Sequence, residues 1–131
     1  MPDTRRSQGS HVLDYTSVPQ GQLIYAIGDI HGRSDLLALL LDKITADAAQ
    51  SKDAERRTLI FLGDYIDRGH DSRRVVDMLL GELPQGFDVH FLKGNHEAIM
   101  LDFLEDPSFL GHWLANGADA TFRSYGMDIE E

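Results

Sequence analysis

Apolar residues along the chain follow two rhythms in turn. Short runs at residues 23–27, 58–62 and 89–92 have the length and composition of buried strands. After each run, apolar residues return every three or four positions. Leu36, Leu37, Leu40, Leu41 and Ile44 predict an amphipathic helix over residues 34–50, with Ser34 as its N-cap and Asp35 in its first turn. Ser72 is the expected cap of a second helix, with Val75, Val76, Leu79 and Leu80 as its buried stripe. Pro84 and Gly86 break the chain before the third run. A helix over residues 97–104 should then turn Ile99, Met100, Phe103 and Leu104 inward. Pro107 opens a short helix through Trp113 and Leu114, "NGAD" interrupts it, and a last turn over residues 121–125 stops at Gly126.

This order predicts an α/β fold built as a βαβαβ unit. The strand-to-strand repeat is roughly thirty residues, the length of a strand–helix–strand crossover. Each strand ends in the same way. "IYAIGDIHGR", "LIFLGDYIDRG" and "FLKGNHEAIM" carry an apolar run, then a glycine, then a group able to hold a cation: Gly28-Asp29, Gly63-Asp64 and Gly94-Asn95. Parallel neighbouring strands would bring all three tips to one carboxyl edge, where open α/β sheets place their ligands. Helix capping accounts for one such tip, since Asn95 is a good N-cap and Glu97 suits a first turn. It does not account for three.

The chain has 131 residues, enough for one domain of ordinary size. The first twenty residues read as a flexible leader, and residues 21–131 as the domain. Twelve Lys plus Arg against 22 Asp plus Glu give a net charge of −10, which argues against a nucleic-acid polymer or an anionic membrane as partner. Cysteine is absent, which excludes a thiolate zinc site and a disulfide framework. With no signal-peptide core and no apolar run of membrane-spanning length, the expected location is the cytoplasm.

The tips carry a coherent chemistry. Asp29 and His31 flank Ile30 and can point to one side of an extended segment. Asp64 and Asn95 add oxygens from the neighbouring tips. Oxygen and imidazole donors without sulfur suit Mn²⁺, Fe or Zn²⁺ better than calcium. Arg68 has a planar fork able to clamp phosphate oxygens, and Arg33 could do the same or simply be solvated. His96 could serve as a general acid, with Asp67 orienting its imidazole. His90 reads as strand packing, His11, His70 and His112 as surface residues, and Trp113 and Phe109 as core.

"GDIHGR", "GDYIDRG" and "GNHE", in this order and spacing, resemble the signature of the calcineurin-like metallophosphoesterases. "DRG" and the glutamate after His96 resemble its phosphoprotein-phosphatase branch, which includes bacterial serine/threonine phosphatases and symmetrical dinucleoside tetraphosphatases. The likeness runs from residue 23 to about residue 104 and could take in "WLANGADATFRSYG". It implies a β-sandwich flanked by helices and two divalent metal ions, manganese first and iron or zinc as alternatives. Asp29 and His31 would hold the first metal, Asp64 would bridge both, and Asn95 would hold the second. His96 paired with Asp67 would protonate the leaving oxygen, and Arg68 would bind the phosphoryl group. The implied activity is hydrolysis of a phosphorylated protein or a dinucleoside polyphosphate through a metal-bridging hydroxide.

The likeness stops before the end of the pattern. The family completes its second metal with two downstream histidines and adds another arginine, and nothing after Asn95 matches them. The chain is therefore expected to be the N-terminal portion of such a domain, with an incomplete sandwich and one uncovered sheet face that favours self-association. The alternative is a non-catalytic fragment or binding module that keeps only the first-half motifs. A phosphodiesterase or nuclease on the same scaffold is disfavoured by the acidic balance.

Overall fold

The computed structural model describes residues 16–129. Most of the leader expected at residues 1–20, with His11 in it, lies outside them. The elements run β1 (Gln22–Ile27), α1 (Ser34–Gln50), β2 (Arg56–Phe61), α2 (Ser72–Gly81), β3 (Asp88–Phe91) and α3 (Asn95–Glu105). A 3₁₀ turn (Pro107–Phe109) and two short helices, α4 (Leu110–Ala115) and α5 (Ala118–Ser124), follow. Gly117 separates the two helices at φ 95°, so "NGAD" does interrupt the chain and the last expected turn is a helix.

All three strands are parallel, in the order β1-β2-β3. Ile27 pairs with Phe61, and Phe61 with Phe91, so the three strands end in register. That register makes the Gly-Asp and Gly-Asn tips neighbours. α1 and α2 pack on one face of the sheet, where Ile27, Leu37, Leu41, Ile44, Leu59, Phe61, Val75, Met78 and Leu79 form one buried cluster. A second cluster, centred on Ile66, Trp113 and Ala118, lies under α3, α4 and α5, and Tyr65 touches both. Among the described residues no helix is long and apolar enough to cross a membrane.

Several sequence expectations change once the layers are known. Helices cover one sheet face only, so Ile24, Leu62 and Leu92 are exposed on the other. His90, expected to pack, alternates onto that outward side and is exposed. The buried stripes are narrower than helical spacing implies. Leu36 and Leu40 lie at the rim of α1, Leu80 is 81% exposed with Met78 buried instead, and Leu104 is 66% exposed. Phe109, expected in the core, is 41% exposed on the 3₁₀ turn. The caps also shift by one residue. Arg33 precedes α1 without a side-chain cap, whereas the Asp71 carboxylate accepts from Arg74 N–H at 3.1 Å and caps α2.

Burial orders the cost of truncation. Leu59→Ala, at a fully buried position, should lower unfolding free energy by about 2–5 kcal/mol in urea titration. Leu80→Ala should stay within about 0.5 kcal/mol of the parent. Equal effects would contradict this placement of the core.

Candidate metal and phosphate site

The tips touch because glycine lets them. Gly63 has φ 111°, and a Cβ there would lie 2.3 Å from Gly94 N. A Cβ on Gly94 would lie 2.1 Å from Asp64 Oδ1. Backbone bonds then lock the first two loops: Ile30 N–H and His31 N–H both donate to the Asp64 carbonyl, at 3.0 and 2.9 Å. Gly32 N–H donates to the Tyr65 carbonyl at 2.9 Å.

Glu97 binds the third loop to the second. Its Oε1 accepts from Asp64 N–H at 2.6 Å and Gly94 N–H at 3.0 Å, while Oε2 accepts from Tyr65 N–H at 3.0 Å. The helix thus starts after Gly94 rather than with Asn95 as its cap, which leaves the Asn95 amide free to face the site. The Tyr65 hydroxyl donates to the Leu92 carbonyl at 2.6 Å. Burial, then the neighbouring Glu97 and Asp64 carboxylates, push its pKa up to about 12. It therefore remains a hydroxyl donor throughout the physiological range.

Four described non-glycine residues have positive φ: His31 at 43°, Asp64 at 55°, Asp67 at 74° and Arg68 at 72°. Such conformations cost on the order of 1–3 kcal/mol each and cluster at functional sites. All four were candidate site residues from the sequence. Gly69 N–H also bonds back to the Asp67 carbonyl at 2.8 Å across Arg68, a strained γ-turn. This turn buries Asp67 and holds Arg68 outward, exposed and without an ion-pair partner among the described residues. Arg33, by contrast, is taken up by Asp35, with Nε and Nη2 donating at 3.0 and 2.9 Å. The Arg33 hydrogen bond holds the Asp35 carboxyl below the usual carboxylate range.

The donors suit a hard or borderline cation. One donor atom each from His31, Asp64 and His96 lies within 4.8 Å of the others. The Ile66 carbonyl, 2.8 Å from His31 Nδ1, accepts that ring N–H and leaves Nε2 as the lone-pair nitrogen, as for a ligating histidine. Asp29 stands outside that group, largely exposed, with Oδ2 3.8 Å from His31 Nε2. The Asn95 amide faces Asp64, its inward end 3.0 Å from Oδ2 and 3.2 Å from Oδ1. With nitrogen inward it donates to both oxygens. Turned over, the same amide would offer its oxygen beside those of Asp64, a donor set open to a cation.

His96 of this set also belongs to a buried dyad. His96 Nδ1 is 2.7 Å from Asp67 Oδ2, and Asp67 is 0% exposed. The His96 ring stands edge-on to His31 with centroids 4.6 Å apart. Asp67 also accepts from Trp113 Nε1 at 2.8 Å and Thr121 Oγ1 at 2.7 Å, and its own N–H reaches Ser72 Oγ at 3.1 Å and Thr121 Oγ1 at 2.9 Å. Trp113 is core, as expected, but its indole also serves this carboxylate. Sequence reasoning missed that role, and with it Thr121, Ser72 and the bracing function of Glu97. Only the stretch "WLANGADATFRSYG" hinted that the last helices belong to the same unit.

The profile of the calcineurin-like phosphoesterase family matches residues 23–128. Serine/threonine-protein phosphatase 2 of Escherichia coli is 37% identical over 99 residues, which are 76% of this chain and 40% of that protein. A serine/threonine-protein phosphatase of Arabidopsis thaliana is 34% identical over 82 residues, 62% of this chain and 8% of its own length. A zinc-dependent endopolyphosphatase of Saccharomyces cerevisiae is 36% identical over 84 residues, covering 63% of this chain and 23% of the relative. The chain spans less than half the length of each. A crystal structure of a cold-active protein tyrosine phosphatase mutant shares the fold, with TM-score 0.51 and 24% identity over 87% of this chain and 36% of that one.

Glu97→Ala would strip three backbone N–H groups of their acceptor, each worth about 1–3 kcal/mol when left unpaired and buried. Denaturant titration should show a loss of at least about 2 kcal/mol, and Glu97→Gln, which keeps one acceptor oxygen, a smaller one. Parent-like stability of Glu97→Ala would show that the carboxylate does not hold the loops.

Proposed function

The chain belongs to the calcineurin-like phosphoesterase family, and on that premise we propose that its site hydrolyses phosphate monoesters with divalent metal. The observation that carries this reading is the buried Asp67–His96 dyad set directly against the donors of His31, Asp64 and Asn95. Asp29, His31 and Asp64 would hold one cation, Asp64 and Asn95 a second, with manganese the first choice and iron or zinc the alternatives. The chemistry such cations supply when bound is charge neutralisation at phosphate oxygens and activation of water.

The protein's own groups do the rest. Arg68, held outward by its strained turn, offers two parallel N–H donors to the phosphoryl oxygens and orients the ester. His96 spends Nδ1 on Asp67, so Nε2 is the nitrogen that hands a proton to the leaving oxygen. Asp67 keeps the ring in that orientation and stabilises its charged form. The substrate class proposed is phosphoserine or phosphothreonine in protein, in keeping with the names of the bacterial and plant relatives. A dinucleoside polyphosphate is the second choice.

A panel of p-nitrophenyl phosphate, a phosphothreonine peptide and a dinucleoside tetraphosphate, assayed with Mn²⁺, tests the reading. Turnover of the peptide above the dinucleotide is expected; no turnover of any of the three would overturn it. His96→Ala should lower kcat by about 10²–10⁴-fold with metal content unchanged. Loss of metal in step with activity would make His96 a ligand instead. Arg68→Ala should weaken inhibition by inorganic phosphate, and unchanged inhibition would remove the clamp.

A further inference from the structure

Asp67 is a carboxylate with no access to solvent, and a buried charge of that kind costs several kcal/mol unless its oxygens are filled. Here they are filled by groups from the end of the chain. Trp113 Nε1, which can only donate, lies 2.8 Å from Oδ2, the same oxygen that faces His96 Nδ1 at 2.7 Å. Thr121 Oγ1 accepts the Asp67 N–H at 2.9 Å, and its single proton goes to the charged Oδ1 at 2.7 Å rather than to the neutral Ser72 Oγ at 3.2 Å. With both oxygens met by fixed donors, the carboxylate cannot rotate, and only an N–H on His96 Nδ1 satisfies the contact that remains.

We propose that Trp113 and Thr121 are positioning residues for proton delivery: they fix Asp67 so that His96 carries its proton on Nδ1 and presents Nε2 to the leaving oxygen. This inference rests on the phosphomonoesterase reading. The reacting form of His96 is the imidazolium, protonated on both nitrogens. Water oxygen bonds to phosphorus, the bond from phosphorus to the leaving oxygen breaks, and that oxygen takes the Nε2 proton while the Nδ1 proton stays hydrogen-bonded to Asp67. A proton from the attacking water restores His96.

A purely structural role would lower activity on every substrate alike, through the amount of folded protein. A positioning role acts only where the leaving group needs a proton. The test compares phenyl phosphate with 2,4-dinitrophenyl phosphate, whose leaving group departs as the anion. Thr121→Val and Trp113→Phe should each lower kcat on phenyl phosphate about 10-fold or more, a part of the roughly 10²–10⁴-fold ascribed to proton donation. Both should leave 2,4-dinitrophenyl phosphate within about threefold, and Thr121→Ser, which keeps the hydroxyl, should restore the slow substrate. The phenylalanine keeps the ring contacts with Phe103 and Phe122, at 5.2 and 5.0 Å between centroids. Equal losses on both substrates, or none, would overturn the proposal.

Nitrogen NMR of the neutral His96 ring supplies a second readout that needs no turnover. The parent and Thr121→Ser should show the Nδ1–H tautomer, and Thr121→Val and Trp113→Phe a mixture. An unchanged tautomer in both variants would overturn the positioning role. An inactive parent on both substrates would overturn the phosphatase reading alone, and the tautomer would then decide the positioning claim.

Discussion

Three loops that end parallel strands have no intrinsic reason to stay in contact, because each carries unpaired N–H groups and polar side chains that water would solvate. The Glu97 carboxylate supplies the reason. It accepts from Asp64, Tyr65 and Gly94 N–H groups at once, spanning two loops from the first turn of α3. Its location near a helix N-terminus adds favourable dipole energy to those bonds. Asp64 is thereby fixed from its backbone outward, and its carbonyl in turn fixes Ile30 and His31. The glycines at 63 and 94 make the approach sterically available, and the glutamate makes it favourable.

The same logic of buried carboxylates separates the two halves of the site. Glu97 and Asp67 are both buried acids whose oxygens are occupied by protein donors. Asp64 is less buried and faces Asn95 and His96, and Asp29 is largely exposed, so these oxygens remain able to meet a cation. Positive φ at His31, Asp64, Asp67 and Arg68 is the conformational cost of this division, offset by the packing of Trp113, Ile66 and the helices beneath.

What could be read from sequence follows a physical divide. The strands, the crossovers and the tip motifs are written in contiguous residues, and the parallel register brings the Asp29, Asp64 and Asn95 tips to one edge. The rims of the helices are different. Leu40, Leu80 and Leu104 sit at helical spacing, yet their burial depends on how far the next layer extends, which periodicity does not encode. The support of Asp67 was hidden for a related reason. Trp113 and Thr121 act on a residue 46 and 54 positions earlier, and their types are as common in a plain core. Strain was equally silent, since neither histidine nor arginine advertises a left-handed backbone.

The central claim is that one sheet edge divides into a cation-binding half and a proton-handling half, joined at His96. Anomalous diffraction from a crystal equilibrated with Mn²⁺ tests it most directly. The account predicts density against the Asp64 and Asn95 oxygens and His31 Nε2, with His96 Nδ1 still bonded to Asp67. Density centred on His96 with the Asp67 bond broken, or no density at Asp64, would contradict it.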